Sequence, residues 1–330
     1  MSWKGRRVLV TGADGFIGSH LAEALACAGA HVRAFCLYNS QGKLGWLEHS
    51  PAGVRAQLDV RLGDVRDARF VEDSCRDVEV VFHLAALIAI PYSYIAPQSF
   101  VQTNVDGTLN VLEACRRARV ARLVHTSTSE VYGTPDSLPI RETHPLKAQS
   151  PYAATKVAAD QLALSYHLSF GVPVTVVRPF NTYGPRQSTR AVTATILSQL
   201  LDGGDTVQLG RLDTRRDLTF VADVVAGFLA AGEIAGIEGK VIQLGTGRSV
   251  TIGELFEAAC RVTGKKARAV QEERRMRPEA SEVMALESDP SLARQLLGWQ
   301  PATPLEEGLR RTAEWMHEVR DSYRADFFYA

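Results

Sequence analysis

Short apolar runs alternate with amphipathic stretches through the first half of the chain, and each kind of stretch predicts its element. Arg7–Thr11, His31–Leu37, Val78–Leu84, Leu123–Ser127 and Val174–Val177 read as strands. Phe16–Ala28, Gln98–Arg117 and Pro151–Phe170 read as the helices between them. Alternation of this kind predicts an α/β fold, a doubly wound parallel sheet with helices on both faces. From Asn181 the rhythm loosens into turn-rich segments such as Asp202-Gly203-Gly204-Asp205, a basic run Arg274-Arg275-Met276-Arg277-Pro278, and a closing helix from Leu305 to about Val319. The pattern thus predicts a main domain over residues 1–180 and a smaller substrate-binding domain over 181–330. Phe220–Ala235 and Val241–Leu244, within about 220–247, are expected to return to the main sheet.

Composition narrows the classes without choosing one. The 330 residues are 45% apolar and 22% charged, as in an ordinary globular protein with a real core. Formal net charge is zero, so nothing draws the whole molecule to nucleic acid or to an anionic membrane. Any anion site must be local. The charged start, Lys4, Arg6 and Arg7, runs directly into Val8-Leu9-Val10, too short for a signal-peptide core, and no later segment approaches a membrane span, so a cytoplasmic location is expected. Cys27, Cys36, Cys75, Cys115 and Cys260 are scattered and form no CxxC pair, which predicts small buried hydrophobes rather than disulfides or a zinc site. The eight histidines show no ligand spacing, with His83 and His125 at strand ends, and no metal is expected. The aromatic tail Phe327-Phe328-Tyr329 is either frayed or docked.

Chemistry concentrates in three places. Gly12-Ala13-Asp14-Gly15-Phe16-Ile17-Gly18 follows the first strand and opens a helix, where glycines let the backbone approach a pyrophosphate at a positive helix N-terminus. Tyr152 and Lys156 are four apart on one helix and share a face, so the ammonium is expected to lower the phenol's pKa and make it a base near neutrality. Thr126-Ser127-Thr128-Ser129-Glu130-Val131-Tyr132-Gly133 adds a carboxylate. Simple alcohol oxidation does not need this second base; removing a proton beside a ketone does.

Together with Asp64-Val65 after a strand, His83-Leu84-Ala85-Ala86 after another and Asn104 in the next helix, these residues resemble the extended short-chain dehydrogenase/reductase family over essentially the whole chain. The resemblance implies a Rossmann-type domain that binds the cofactor through Gly12, Asp14, Gly15, Phe16, Ile17, Gly18, Asp64, Val65, Leu84, Ala85, Ala86, Thr126, Tyr152 and Lys156. Asp64 and Val65 would contact adenine. NAD-preferring relatives end the second strand with an acid for the ribose hydroxyls, and this chain has Cys36 there. NAD is the expected cofactor and NADP stays open, with Asn39, Ser40 and Lys43 the nearby candidates for a 2′-phosphate.

The Thr128-Ser129-Glu130 triplet is similar to that of GDP-mannose-type 4,6-dehydratases, whereas 4-epimerases carry small residues in place of Glu130. UDP-glucuronate decarboxylases are similar at this motif. Asn181, Arg186 in the GPRQ segment, Arg216 in Arg216-Asp217-Leu218-Thr219-Phe220-Val221-Ala222-Asp223, and Arg277 are implied as substrate-binding residues. Arg216 and Arg277 would grip the diphosphate. Ala86–Tyr94 with Arg277–Val283 most resembles dehydratases acting on nucleotide-linked N-acetylglucosamine, including the legionaminic-acid pathway type.

The expected function is therefore an NAD-dependent sugar-nucleotide 4,6-dehydratase, with Thr128, Ser129, Glu130, Tyr152 and Lys156 catalytic and a UDP- or GDP-linked N-acetylglucosamine as substrate. A UDP-glucuronate decarboxylase, a 4-epimerase, or a non-catalytic dinucleotide-sensing protein are the alternatives. A homodimer is expected, because Val101, Val105, Leu109 and Leu112 on one helix and Val157, Leu162, Leu164 and Leu168 on another exceed one sheet-facing stripe.

Overall fold

The computed structural model describes residues 2–320 and Tyr323; the aromatic tail Phe327–Tyr329 lies outside the described residues. Seven parallel strands form the main sheet: β1 (Arg7–Thr11), β2 (His31–Leu37), β3 (Asp59–Gly63), β4 (Val80–His83), β5 (Arg122–Thr126), β6 (Val174–Pro179) and, much later in the chain, a strand over Val241–Leu244. Its spatial order from the far edge is Val241–Leu244, β6, β5, β4, β1, β2, β3. β1, β4, β5 and β6 are buried along almost their whole length, the signature of a sheet covered on both faces. The covering helices include α1 (Phe16–Cys27), α2 (Ala52–Arg55), α3 (Ala68–Cys75), α4 (Ile90–Ile95), α5 (Pro97–Phe100), α6 (Gly107–Ala118) and α7 (Pro151–Phe170). The chain runs outward from β1 to β2 and β3, then crosses back to β4 and on to β6. The strand order therefore reverses between β1 and β4, and ligands of such sheets bind beyond the strand C-termini at that point.

The helix expected over Gln98–Arg117 is not uniform. Between α5 and α6 the chain widens into a π-helical turn, Val101–Asp106, which turns Asn104 inward. Buried Asn104 brackets Leu87, accepting from its N–H at 2.8 Å and donating to its carbonyl at 2.9 Å, and donates also to Thr155 Oγ1 at 3.0 Å. One amide thus ties the segment after β4 to α7.

Past β6 come β7 (Asn181–Tyr183), α8 (Val192–Asp202), β8 (Thr206–Leu209), β9 (Arg215–Phe220), α9 (Val221–Glu233), β10 (Val241–Leu244, the seventh strand of the main sheet), β11 (Ser249–Thr251), α10 (Ile252–Thr263), β12 (Arg268–Gln271), β13 (Ala285–Leu286), α11 (Ser291–Leu297) and α12 (Leu305–Glu318). A small second sheet centres on β9, which pairs with β7, β11 and β13, and β8 pairs with β12. Asp217 at the middle of β9 is completely buried and accepts from Thr246 N and Oγ1, Gly247 N, and Ser288 N and Oγ. That carboxylate locks the loops after β10 and β13 to β9, and so fixes the direction of neighbouring Arg216. Of the cysteines, Cys36, Cys75 and Cys115 are buried as expected, but Cys27, in the last turn of α1, is exposed. No described helix is long and apolar enough to cross a membrane.

Candidate active site

The glycine loop forms a cradle at the reversal point. Gly12 takes φ +71°, and a Cβ on Gly18 would stand 2.0 Å from the Gly12 carbonyl oxygen, so α1 can approach β1 only because residue 18 has no side chain. The N-cap of α1 is Gly15 and its first turn carries no acid, leaving the first N–H groups to an anion. Thr11 Oγ1 accepts from the N–H groups of Leu84 and Ala85, both at 3.2 Å, which brings the Leu84-Ala85-Ala86 stretch against the loop. Val65 is buried against the first residue of α6. Asp64 receives Arg66 in a two-oxygen pair, and that guanidinium holds its carboxyl below the usual range. A glycine cradle, an uncapped helix start and the orphaned buried Thr126 Oγ1 together fit a dinucleotide. Cys36, by contrast, is completely buried in the main core and offers a ligand nothing.

β5 delivers the loop that carries the candidate catalytic residues. After Thr126 the chain turns at Thr128, whose hydroxyl accepts from Glu130 N at 3.2 Å and so caps a single 3₁₀ turn, Ser129–Tyr132. Ser129 and Glu130 are both buried. α7 starts with Ser150 as N-cap and Pro151 at its first position, a strong start signal. Tyr152 then falls in the first turn with its ring against Phe100, centroids 6.2 Å apart. Thr128, Glu130 and Tyr152 converge: the Thr128 hydroxyl favours the ionised phenol, and the Glu130 carboxylate opposes it through its charge.

The electrostatics correct one expectation. Burial pushes the Tyr152 phenol well above its ordinary value, Glu130 and Asp160 push it further, and only the Thr128 hydroxyl pulls it down. Lys156 is directed elsewhere. Its ammonium donates to the Thr126 carbonyl at 2.6 Å, and burial lowers its pKa to about 8 against the opposing pull of Asp160. The i,i+4 spacing put both residues on one face, yet the ammonium is directed at the end of β5 rather than at the phenolic oxygen.

Sequence reasoning passed over Asp160, which continues the same ladder one turn after Lys156. It is fully buried and held by Ser127 Oγ at 2.7 Å, Arg178 Nη2 at 2.8 Å and His125 at 3.3 Å. Burial alone would raise its carboxyl, but His125, Arg178 and Ser127 outweigh that and hold it below the ordinary range. The spacing Tyr152, Lys156, Asp160 was the available signal.

The substrate-side residues divide. Arg216, buried on β9, donates to Val283 O at 2.8 Å and to Glu282 Oε1 at 3.3 Å. Arg277, from the segment between β12 and β13, lies 4.0 Å from Glu130 and 3.9 Å from Glu282, and its buried Nη1 makes no hydrogen bond. Glu282, to which the sequence reading gave no role, thus stands between the two arginines. Asn181 on β7 keeps a buried Oδ1 without a partner. Arg186 does not join this group: its buried guanidinium lies 2.6 Å from Glu23 of α1. Tyr94 Oη is 2.6 Å from Ser281 Oγ, which donates to Gln149 O, and Gln149 donates to Ala280 O. The segment after β4 and the Arg277–Val283 segment, far apart in sequence, meet over the start of α7.

The family model described as GDP-mannose 4,6 dehydratase matches residues 9–312. A UDP-glucose 4-epimerase from Mycolicibacterium smegmatis is 36% identical, the match covering 94% of this chain and 98% of that protein. A dTDP-glucose 4,6-dehydratase from Actinoplanes sp. is 33% identical over 95% of this chain and 98% of its own length. Among solved structures, the dTDP-glucose 4,6-dehydratase DesIV from Streptomyces venezuelae with NAD and TYD bound superposes with a TM-score of 0.85 at 31% identity, covering 96% of this chain and 98% of that one.

Proposed function

The chain belongs to the GDP-mannose 4,6 dehydratase family, and on that premise we propose that it is an NAD-dependent sugar-nucleotide 4,6-dehydratase acting on a UDP- or GDP-linked N-acetylglucosamine. The observation that carries this reading is Glu130: a buried carboxylate beside the Tyr152 phenol, within ion-pair reach of Arg277. A 4-epimerase oxidises and re-reduces one carbon and has no use for a base there. A dehydratase must also remove the C5 proton.

NAD held by the Gly12–Gly18 loop would supply the hydride acceptor for C4 and the hydride donor for C6. Tyr152 takes the O4 proton as C4 becomes a ketone, while Thr128 orients O4. That ketone acidifies C5–H, and Glu130 removes the proton. Ser129, almost completely buried and without a carboxyl, cannot act as the acid, so Glu130 passes the proton to the C6 oxygen, which departs as water. Return of the hydride to C6 and of a proton exchangeable with solvent to C5 would give the 4-keto-6-deoxy sugar. Substrate minus one water equals product.

The N-acetylglucosamine reading is supported by the meeting of the Ala86–Tyr94 and Arg277–Val283 segments at Tyr94 and Ser281. Decarboxylation is disfavoured, since Arg186, the residue that could hold a substrate carboxylate, is paired with Glu23. A 4-epimerase is the second reading, favoured by the 36% identical relative and by the absence of an acid at Ser129. Incubation with UDP- and GDP-N-acetylglucosamine, UDP-glucuronate and dTDP-glucose separates the readings by product mass. Loss of one water from an N-acetylglucosamine nucleotide is expected; products of unchanged mass mean epimerisation.

Arg216 and Arg277 are proposed to hold the diphosphate in the same complex. Hydrogen bonds to charged groups contribute about 1.5–3 kcal/mol each. Arg277→Ala is therefore expected to weaken UDP or GDP binding by about one to two orders of magnitude, read by calorimetry, with cofactor occupancy unchanged. Unchanged nucleotide affinity would place the diphosphate elsewhere.

A homodimer through α6, α7 and the turn before α6 is also proposed. Leu112 is buried in the core and leaves the set expected to face a partner. Val101, Leu109 and Leu168 of that set stay exposed, Leu168 at 84%, and Phe170, outside it, is exposed beside them, while Val105, Val157, Leu162 and Leu164 are half-buried. Light scattering at micromolar protein is expected to give twice the chain mass; a single-chain mass would refute this pairing.

A further inference from the structure

β2 ends in Phe35-Cys36-Leu37, with no acid to receive a ribose and with Cys36 sealed in the core. A carboxylate reaches that strand end all the same, from the glycine loop. Asp14 Oδ2 accepts from Leu37 N at 3.2 Å, the residue directly after Cys36. Its proximity registers on the thiol too: burial first, then the Asp14 charge, push the Cys36 pKa up to about 12. We propose that Asp14 is the carboxylate that receives the adenosine ribose hydroxyls and selects NAD over NADP, an inference that rests on reading the glycine loop as a dinucleotide cradle.

The residue is held in place for such a role. Its carbonyl oxygen accepts from Trp46 N at 3.0 Å. Gly45, at φ +55°, comes so close that a Cβ there would stand 2.5 Å from the same oxygen. The segment after β2 thus folds back onto the glycine loop and fixes Asp14 from the outside. A carboxylate offers about four acceptor positions, of which Leu37 N–H uses one, so acceptors remain for two ribose hydroxyls. Only partly exposed, its charge is less screened than one in bulk water, and a 2′-phosphate placed beside it meets like charge.

The polar residues beyond β2 do not offset that repulsion. Asn39 spends its side chain on Lys43, donating to its carbonyl at 2.8 Å and accepting from its N–H at 2.9 Å, which closes a local turn. No arginine lies between Leu37 and Leu47. The acid absent from β2 has, in effect, moved to the loop that faces it.

The test is direct titration of nucleotide-free protein with NADH and NADPH, followed by fluorescence, on the wild type, Asp14→Asn, Asp14→Ala and Lys43→Ala. Asparagine keeps an acceptor for Leu37 N–H, so the loop stays seated, and thermal melting confirms which variants fold. Wild type is expected to prefer NADH by about tenfold or more, one charge-assisted hydrogen bond's worth of affinity. Either Asp14 variant is expected to bind NADH about tenfold more weakly and NADPH no worse, so that the preference collapses, whereas Lys43→Ala keeps it. A wild type without preference, an Asp14 variant that retains the preference, or a Lys43→Ala variant whose NADPH affinity falls selectively would each overturn the assignment. Failure of both nucleotides to bind wild type would overturn the cradle reading as well, which distinguishes the two failures.

Discussion

Tyr152→Phe is expected to reduce turnover by at least about 10²–10⁴-fold, the range that a positioned acid–base group contributes, and the loss should appear in kcat rather than in nucleotide affinity. The ring is buried against Phe100 and in contact with the Ile90 cluster, so phenylalanine preserves the packing and deletes only the oxygen. The Thr128 cap on the Ser129–Tyr132 turn is made through Glu130 N and survives. Binding of nicotinamide dinucleotide, followed by fluorescence, should therefore match wild type. Near-wild-type turnover in this variant would remove Tyr152 as the O4 base.

Glu130→Gln is expected to stop product formation while sparing the first oxidation. The substitution keeps the volume of a buried side chain and removes the group proposed to take the C5 proton. Because the proposed mechanism serves O4 through Tyr152 and Thr128, C4 oxidation should proceed, and the absorbance of reduced nicotinamide should appear on adding substrate and persist. Arg277, 4.0 Å from the carboxylate, loses an ionic neighbour, so nucleotide affinity is expected to shift modestly while dehydration falls by at least about 10²-fold. Wild-type product formation in this variant would exclude Glu130 as the elimination base.

The sheet was legible because the strands bury both faces. Runs such as Val80–His83 and Val174–Val177 are continuously apolar or nearly so, and the helices between them have their own period. The π-helical turn at Val101–Asp106 was not legible, because periodicity does not report one extra residue per turn. It exists where Asn104 has to bracket Leu87 and reach Thr155. The glycine loop, the Thr-Ser-Glu triplet and the Tyr–Lys pair were visible as local patterns, and their convergence was implied by the strand ends that carry them.

What stayed hidden depends on direction and long-range contact. Spacing puts Lys156 on the face of Tyr152 but does not reveal that its ammonium bonds Thr126 O, or that burial raises the phenol. Arg186 and Arg216 look alike in sequence, one residue after Pro185 and one before Asp217. The fold gives the first to Glu23 and brings the second to Glu282. Glu282 shows no signal of its own until β13 and β9 pair and set it between two guanidinium groups. Asp14 reads as one position in a glycine loop until β2 is laid beside it.

Product formed from UDP- or GDP-N-acetylglucosamine in deuterated water tests the central claim most directly, because dehydration opens C5 to solvent and epimerisation does not. Mass spectrometry is expected to show product lighter than substrate by one water and one mass unit heavier than that made in ordinary water, with the deuterium on C5. A product of unchanged mass without carbon-bound deuterium would contradict elimination through Glu130 and assign this site to epimerisation at C4.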